Sequence, residues 1–187
     1  MRNQKIKEKI SQTDFTTQRM DREEYEGVEF SNCIFPPVIH VNLMDCVFVN
    51  CNLSNVRFNN GFLQTITFRD SKLMGVNFSG ARDFGLELHF EGCILDYASF
   101  DKKKLNKSSF KNCKIHGANF TQADLSKSLI SACDFYDSVF AGTNLSGADL
   151  STSRNFLIDP ELNNIRKAKF SLNSLPGLLS KHQIVVE

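Results

Sequence analysis

The chain has 187 residues, and its 22 Lys and Arg against 21 Asp and Glu give a formal net charge of +1. This length accommodates one domain with a sizeable core and is short for two. The near balance of charge excludes a polyanion mimic and a nucleic-acid binder that act by bulk charge. The aromatic content is lopsided, because the sequence holds 17 Phe, 3 Tyr and no Trp.

The beginning of the sequence, residues 1–10, is charged and lacks the apolar core of a secretory signal. No stretch approaches the roughly 18 apolar residues of a membrane helix. We therefore expect a cytoplasmic protein with no membrane partner, in which the six cysteines are reduced. Because no two cysteines form a C-x-x-C pair, the sequence predicts neither a metal site nor a cofactor.

Large apolar residues recur every five positions, a period that fits neither an amphipathic helix nor a simple strand. Three runs, 15–35, 43–78 and 90–150, contain 26 such centres, and thirteen of them are Phe. A small residue lies two positions before most centres, often followed by Asn or Asp, as in Ala118-Asn-Phe and Ala148-Asp-Leu. Such a short tandem period is typical of a solenoid.

This pattern resembles the pentapeptide-repeat family over roughly residues 13–152. The resemblance implies an all-β solenoid, a right-handed quadrilateral β-helix with four repeats to a coil. The centre and the small residue two positions before it then point inward, and side chains one coil apart stack. The expected stacks are Phe100–Phe120–Phe140, Leu105–Leu125–Leu145 and Cys93–Cys113–Cys133. The spacing also predicts charge pairs between Lys104 and Asp124 and between Lys114 and Asp134.

The five-residue register breaks twice. From Phe35 to Leu43 the step is eight residues, which indicates three extra residues around Pro36-Pro37. From Phe78 to Phe90 the step is twelve, two more than two repeats. Asp83 falls at a centre there, where a carboxylate does not stay buried unpaired, so a local bulge is expected. A packing adjustment between coils and a recognition loop both explain such breaks.

The expected organisation has three parts. An N-terminal cap, helical or frayed, covers 1–13, and the β-helix covers 14–155 with breaks near 36–42 and 79–89. A C-terminal helical cap and dimerisation tail covers 156–187, because Asp159-Pro160 provides a helix N-cap and a first-turn proline. The apolar tail exposes a patch unless it packs on the last coil or on a partner. Its expected dimer-interface residues are Leu175, Leu178, Leu179, Ile184 and Val185.

The ending narrows the resemblance. The segment Ile158-Asp-Pro, the apolar tail, and the stretch Asn77-Phe-Ser-Gly-Ala-Arg-Asp-Phe-Gly resemble the Qnr-type quinolone-resistance proteins. That resemblance implies a homodimer through the C-terminus and a protein partner, DNA gyrase or topoisomerase IV. Some of those relatives imitate the charge of DNA, whereas this chain carries a net charge of +1.

The sequence contains no catalytic motif, so we expect a protein that is not an enzyme. A basic cluster spans 102–114, and its member Lys103 falls in a small inward slot, so we expect that coil to bulge or to turn Lys103 outward. A solvated face and an acidic partner or nucleic-acid contact both explain the cluster, although direct nucleic-acid binding is disfavoured by net charge. The expected partner-binding residues are Lys102, Lys104, Lys107, Lys111, Lys127, Arg82 and Asp83.

The expected function is therefore non-enzymatic binding of a macromolecule. The resemblance points to a type II topoisomerase that the protein protects from quinolones or toxins. The alternative is a structural or scaffolding module without a topoisomerase role.

Overall fold

Coils of four five-residue repeats stack into a four-sided β-solenoid in the computed structural model, which describes residues 4–185. The rod has about six turns and one short α-helix near its C-terminal end. The strands are short, because the chain turns a corner after every repeat. They are β1 (Glu8–Ser11), β2 (Glu24–Glu26), β3 (Val28–Ser31), β4 (Val38–Ile39), β5 (Asn42–Met44), β6 (Val47–Val49), β7 (Arg57–Phe58), β8 (Leu63–Gln64), β9 (Ile66–Arg69), β10 (Leu88–Glu91), β11 (Ser109–Lys111) and β12 (Leu129–Ser131).

Each coil contributes to four faces, which we number in chain order from the sheet that β1 begins. Face 1 is a seven-stranded parallel sheet, β1-β3-β6-β9-β10-β11-β12. Face 2 consists of isolated parallel bridges from Asp14 to Arg154. Face 3 holds the β4–β7 pair and continues through bridges to Val139. Face 4 holds β2, β5 and β8, and bridges extend it from Lys104 to Asn164.

The core is made of the five-residue centres. All of them are buried except Met20, which is partly buried. The predicted stacking from one coil to the next is confirmed, since the Phe100 and Phe120 rings lie 5.0 Å apart at 9°, and those of Phe120 and Phe140 lie 5.2 Å apart at 5°. Phenylalanine suits these positions because a flat ring stacks on its copy in the next coil.

The corner between face 1 and face 2 uses left-handed backbone. Asn50, Asp70, Gly92 and Asn112 lie there on successive coils, with φ between 49° and 65°. Glycine, asparagine and aspartate tolerate this conformation better than other residues. The requirement for a positive φ at this corner therefore explains why these residue types recur outside the core.

The first register break shortens a coil. Phe30 pairs with Phe48 and Tyr25 with Leu43, so each partner comes two positions earlier than in a regular coil of four repeats. The expectation of three extra residues is wrong, because Ile39 is an additional inward position, buried at 2% exposure. The chain reaches and leaves it in steps of four. The coil therefore lacks two residues instead of containing an insertion.

The second break lengthens a coil. Phe68 pairs with Phe90, and Lys72 bridges Ile94, so each partner comes two positions later than in a regular coil. The two additional residues match the sequence count for this break. The short coil and the long coil together equal two regular coils, so the regular phase returns after the second break.

Both ends of the rod differ from expectation. Residues 8–11 form β1, which pairs with β3 and turns Ile10 toward the core, so the helical interpretation of the N-terminus is wrong. The helix expected after Asp159-Pro160 is also wrong, and with it the boundary at 155. Bridges from Asn144 to Asn164 and from Asp149 to Lys169 show that the last coil continues to about residue 169.

A helical cap then closes the C-terminal end, as predicted, although it is short. It contains a 3-10 turn at Leu172–Ser174, α1 at Pro176–Leu179 and a second 3-10 turn at Ser180–His182. Leu178 is buried at 8% exposure and joins the solenoid core. None of the helices between residues 4 and 185 has the length and apolar character to cross a membrane.

Candidate partner-binding surface

Lys103 points into the solenoid. Its side chain is 7% exposed, and its ammonium donates to the Ala81 carbonyl oxygen at 2.8 Å and lies 3.0 Å from Asp83 Oδ1. Of the two expectations for this coil, a bulge or an outward Lys103, the outward turn is therefore wrong. A buried lysine is tolerated there because both a carboxylate and a carbonyl satisfy its ammonium.

The reason lies in the backbone of face 4. In the regular coils, the residue after each small inward residue donates its backbone N–H to a carbonyl oxygen of the preceding coil. The acceptor is the small inward residue at the same place in that coil. Arg82 N–H thus donates to the Gly61 carbonyl, and Asp124 N–H donates to the Lys103 carbonyl. Within residues 4–185 no bridge joins Arg82 to Lys104, where the lengthened coil lies below. The Lys103 ammonium takes the Ala81 carbonyl that a backbone donor would otherwise occupy. Its side chain closes this gap in the ladder.

The bulge at the second break carries an aromatic cluster. Phe84 is 77% exposed, and its ring meets that of Phe62 edge-on at 6.3 Å. The Arg82 guanidinium lies 4.6 Å from the centre of the Phe62 ring on the same surface. Asp83 lies between Arg82 and Phe84 and its carboxylate is partly exposed. Sequence reasoning missed the two phenylalanines because neither lies at a five-residue centre.

The other predicted lysines divide between two surfaces. Lys102 is exposed with its ammonium 3.9 Å from Asp101, and Lys104 is exposed on face 4. Lys107, Lys111 and Lys127 instead line one groove of about 320 Å³ at the corner between faces 4 and 1. We call it the basic groove, and its other lining residues are His89, Asn106, Ser108, Ser109, Phe110, Leu129 and Ser131.

The lysines of the basic groove differ in their partners. The Lys111 ammonium lies 2.7 Å from Glu91 Oε1, and this hydrogen bond lowers the pKa of Glu91. Among the residues that the structure describes, no carboxylate lies within 4.0 Å of the Lys107 or Lys127 ammonium. The groove thus carries two cations without a partner in the described part of the chain.

The predicted charge pairs along the rod are replaced by others. Lys114 lies 2.8 Å from Asp96, one coil toward the N-terminus, and Asp134 is bound by Arg154 at 3.0 Å. Asp124 accepts from the Asn144 amide at 3.0 Å, and no ion pair joins it to Lys104 within 4–185. Each carboxylate takes the donor on whichever adjacent coil reaches it.

Two of the outer faces, face 2 and face 4, carry charges of both signs in one row. Face 2 carries Lys72 and Lys114 in the same row as Asp134 and Arg154, and face 4 places Lys104 beside Asp124. No face of the described rod therefore presents an unbroken row of carboxylates spaced along its axis. This arrangement differs from the regular negative charge of a DNA backbone.

All six cysteines are buried and free. Burial raises the pKa of Cys46 to about 11 and that of Cys51 to about 12. A hydrogen bond with Cys113, together with burial, raises the pKa of both Cys93 and Cys133. These thiols fill the small inward slots as apolar side chains do.

The C-terminal end of the rod is rich in exposed apolar side chains. Of the five residues predicted for a dimer interface, Leu178 is buried inside the cap and the other four are exposed. Three further leucines extend this surface, which we call the terminal patch. Its members are Leu157, Leu162, Leu172, Leu175, Leu179, Ile184 and Val185.

Comparison with known families identifies the repeat. A model described as pentapeptide repeats (8 copies) matches residues 51–82, and one described as a pentapeptide repeat region matches residues 87–155. Together they cover more than half of the sequence. The chain belongs to the pentapeptide-repeat family, as its sequence pattern indicates.

Among solved structures, the chain is similar to QnrB1, a plasmid-mediated fluoroquinolone resistance protein. A trypsin-treated QnrB1 variant is 25% identical with a TM-score of 0.78, covering 100% of this chain and 94% of that chain. A second trypsin-treated variant is 23% identical with a TM-score of 0.74, covering 97% and 96%. Full-length QnrB1 is 18% identical with a TM-score of 0.59, covering 95% and 98%. The chain is thus a Qnr-like pentapeptide-repeat protein. No curated protein sequence gives a match.

Proposed function

We propose that this protein binds a type II topoisomerase, DNA gyrase or topoisomerase IV, and protects it from quinolones or toxins. The observation that carries the proposal is the likeness to QnrB1, which covers the whole of this chain and nearly all of the relative. A Qnr-like rod indicates a non-enzymatic, protein-binding role. The topoisomerase is the partner that the Qnr resemblance of the sequence implies.

The bulge supports a direct contact with a protein surface. Phe84 is exposed, Arg82 and Asp83 flank it, and Lys102 and Lys104 are exposed on the next coil. Exposed aromatic and arginine side chains are the residue types that contribute most at protein interfaces. Because faces 2 and 4 both mix cations with carboxylates, we infer recognition of a protein surface and not replacement of a DNA segment.

A supercoiling assay with purified gyrase and a quinolone tests the proposal. We expect the protein to restore supercoiling at a quinolone concentration that inhibits gyrase alone, and an immobilised protein to retain gyrase. The double variant Arg82→Ala/Phe84→Ala is expected to lose both effects while it stays folded. Absence of binding together with unchanged quinolone inhibition would overturn the topoisomerase role.

The second candidate function is a scaffolding module without a topoisomerase role. The mixed charge of the faces favours it, since a surface without a repeated charge suits several kinds of protein partner. The gyrase assay separates the two candidates, because a scaffold leaves both the supercoiling rate and the quinolone inhibition unchanged.

We also propose that two copies pair through the terminal patch as a homodimer. Its seven exposed apolar side chains come from the last coil, the cap and the residues directly after the cap. Large exposed apolar patches mark interaction sites in soluble proteins. Leu178 contributes indirectly, because it anchors the cap to the last coil.

A further inference from the structure

The basic groove concentrates positive charge from successive coils. Lys107 and Lys127 are one full coil apart in the sequence, so their Cα atoms lie on adjacent coils about 4.8 Å apart by the spacing of β-strands. Their ammonium groups project from adjacent coils and repel each other, and an anion placed between them relieves that repulsion. Both side chains are exposed and therefore able to swing toward a ligand.

The floor of the groove combines one apolar side chain with two polar ones. Leu129 is 70% exposed on face 1, and it stacks in register with Ser109 and His89 on the two preceding coils. His89 is already held in place, with Nδ1 2.8 Å from Ser109 Oγ and Nε2 3.1 Å from Glu87 Oε1. An exposed leucine beside two lysines offers an aliphatic contact next to two charge contacts.

We propose that the basic groove docks an acidic peptide segment of a protein partner, with carboxylates at Lys107 and Lys127 and an aliphatic side chain against Leu129. The groove adjoins the bulge, because both lie at the corner between faces 4 and 1 on neighbouring coils. The inference deepens the proposed protein-binding role and does not depend on the identity of the partner. Charge complementarity defines the occupant, because the two free cations require anions and the leucine requires an apolar group.

The groove fits a peptide better than a nucleic acid. Glu91 and Glu87 lie along its edge, where they repel a continuous phosphate backbone but leave room for spaced carboxylates. The exposed apolar group of its floor is an aliphatic leucine, whereas single-stranded nucleic acids bind on aromatic side chains that stack with bases. Spaced acidic and aliphatic side chains meet both features of the groove.

Fluorescence anisotropy with a labelled peptide that contains glutamates on both sides of a leucine tests the proposal. We expect saturable binding that weakens with added salt, since the charges lie at the surface. The variant Lys107→Glu/Lys127→Glu should lower the affinity about tenfold or more. The variant Leu129→Ser should lower it several-fold, and a probe with serine in place of leucine should show the same loss.

The matched control is Arg57→Glu/Lys72→Glu, which makes the same change in net charge on faces 3 and 2, outside the groove. We expect it to bind the peptide nearly as the original protein does. If the Glu variant at 107 and 127 unfolds, Lys107→Gln/Lys127→Gln removes the charges without reversal and should weaken binding in the same direction. Equal binding by groove and control variants overturns the proposal. Tighter binding of a single-stranded DNA oligonucleotide at the same lysines overturns it as well.

Discussion

The ammonium of Lys103 lies 3.0 Å from the carboxylate of Asp83, although the coil that separates them is two residues longer than its neighbours. Lys103 occupies an inward slot that most often holds Ala, Cys, Ser or Val. The extra residues open the backbone ladder at Ala81, and the lysine side chain bridges this opening. The buried lysine thus supplies the hydrogen bond and the charge that the break in the repeat leaves unsatisfied.

Replacement of Lys103 by methionine is expected to lower the free energy of unfolding by about 1–3 kcal/mol, because the Ala81 carbonyl and the Asp83 carboxylate lose their donor. Asp83→Asn should cost less, since that carboxylate is partly exposed to water. Urea denaturation of both single variants and of the double variant measures the coupling. Additive losses would show that the ion pair contributes nothing.

The stacked phenylalanines predict a steep cost for removal of one ring. Phe120→Ala is expected to lower the free energy of unfolding by about 3–5 kcal/mol, because the ring is fully buried between Phe100 and Phe140. Phe84→Ala is the control, with the same chemical change at an exposed ring, and should change stability by about 0.5 kcal/mol or less. Similar losses in denaturation midpoints for the two variants would contradict the stacking argument.

The cysteines are expected to be unreactive in the folded protein. All six are buried, so a reagent in solution does not reach their sulfur atoms, and burial also raises the pKa of Cys46 and Cys51. A colorimetric thiol reagent should detect all six only after denaturation. The variant Ala132→Cys supplies an exposed thiol at a corner and should react at once. Rapid modification of a native cysteine would show that the inward slots open to solvent.

Acid is expected to weaken the fold partly through Asp134. Burial opposes ionisation of this carboxyl, but hydrogen bonds from Asn155, the Tyr136 backbone and Arg154 lower its pKa. A carboxyl with a lowered pKa stabilises the fold above its unfolded pKa of about 3.9, and the contribution disappears as the pH falls through the lowered value.

The matching experiment compares the original protein with Asp134→Asn from pH 7 down to pH 2. The two stabilities should differ most at pH 7 and converge as the pH falls below the lowered pKa of Asp134. Asp137→Asn, at the next exposed corner, should leave the pH dependence unchanged. A constant difference between the original protein and Asp134→Asn at every pH would contradict this role.

Light scattering tests the proposed homodimer. The single chain has a mass of 21.2 kDa, and the dimer should show twice that value at micromolar concentration. Leu179→Asp/Val185→Asp should return the mass to that of one chain without loss of stability, because both side chains are exposed. Leu178→Asp should instead destabilise the cap. A light-scattering mass of one chain for the original protein would contradict the proposed homodimer.

The five-residue period predicts the interior well, because inward positions admit few residue types and stack on their own copies. The sequence predicts the structure less well where one local motif is compatible with two backbone structures. Asp159-Pro160 begins a helix in many proteins, but here the Asp159 carboxylate accepts from Glu161 N–H at 2.8 Å in a corner of the coil. The same capping hydrogen bond serves both structures, so the residues alone do not decide between them.

Outward residues are less constrained by the repeat, because the period places side chains on adjacent coils without deciding which of them pair. Lys107 and Lys127 are predicted as neighbours because four repeats separate them, and the groove brings them together with Lys111. Leu129 lies one residue before the centre Ile130, and an apolar residue at an outward position was the signal that could have revealed it. The period places Lys103 in an inward slot, but it does not predict the inward side chain, because it does not show the backbone gap that this side chain fills.

The stacking of the coils has a consequence for how the chain finds its structure. Stacked backbone pairs join residues that are only one coil apart, a small fraction of the chain length. Most β-proteins must close much longer loops before their strands meet, and they fold slowly for that reason. In this rod the formation of any one coil supplies the template for the next, so the native structure is able to grow from a local nucleus in both directions.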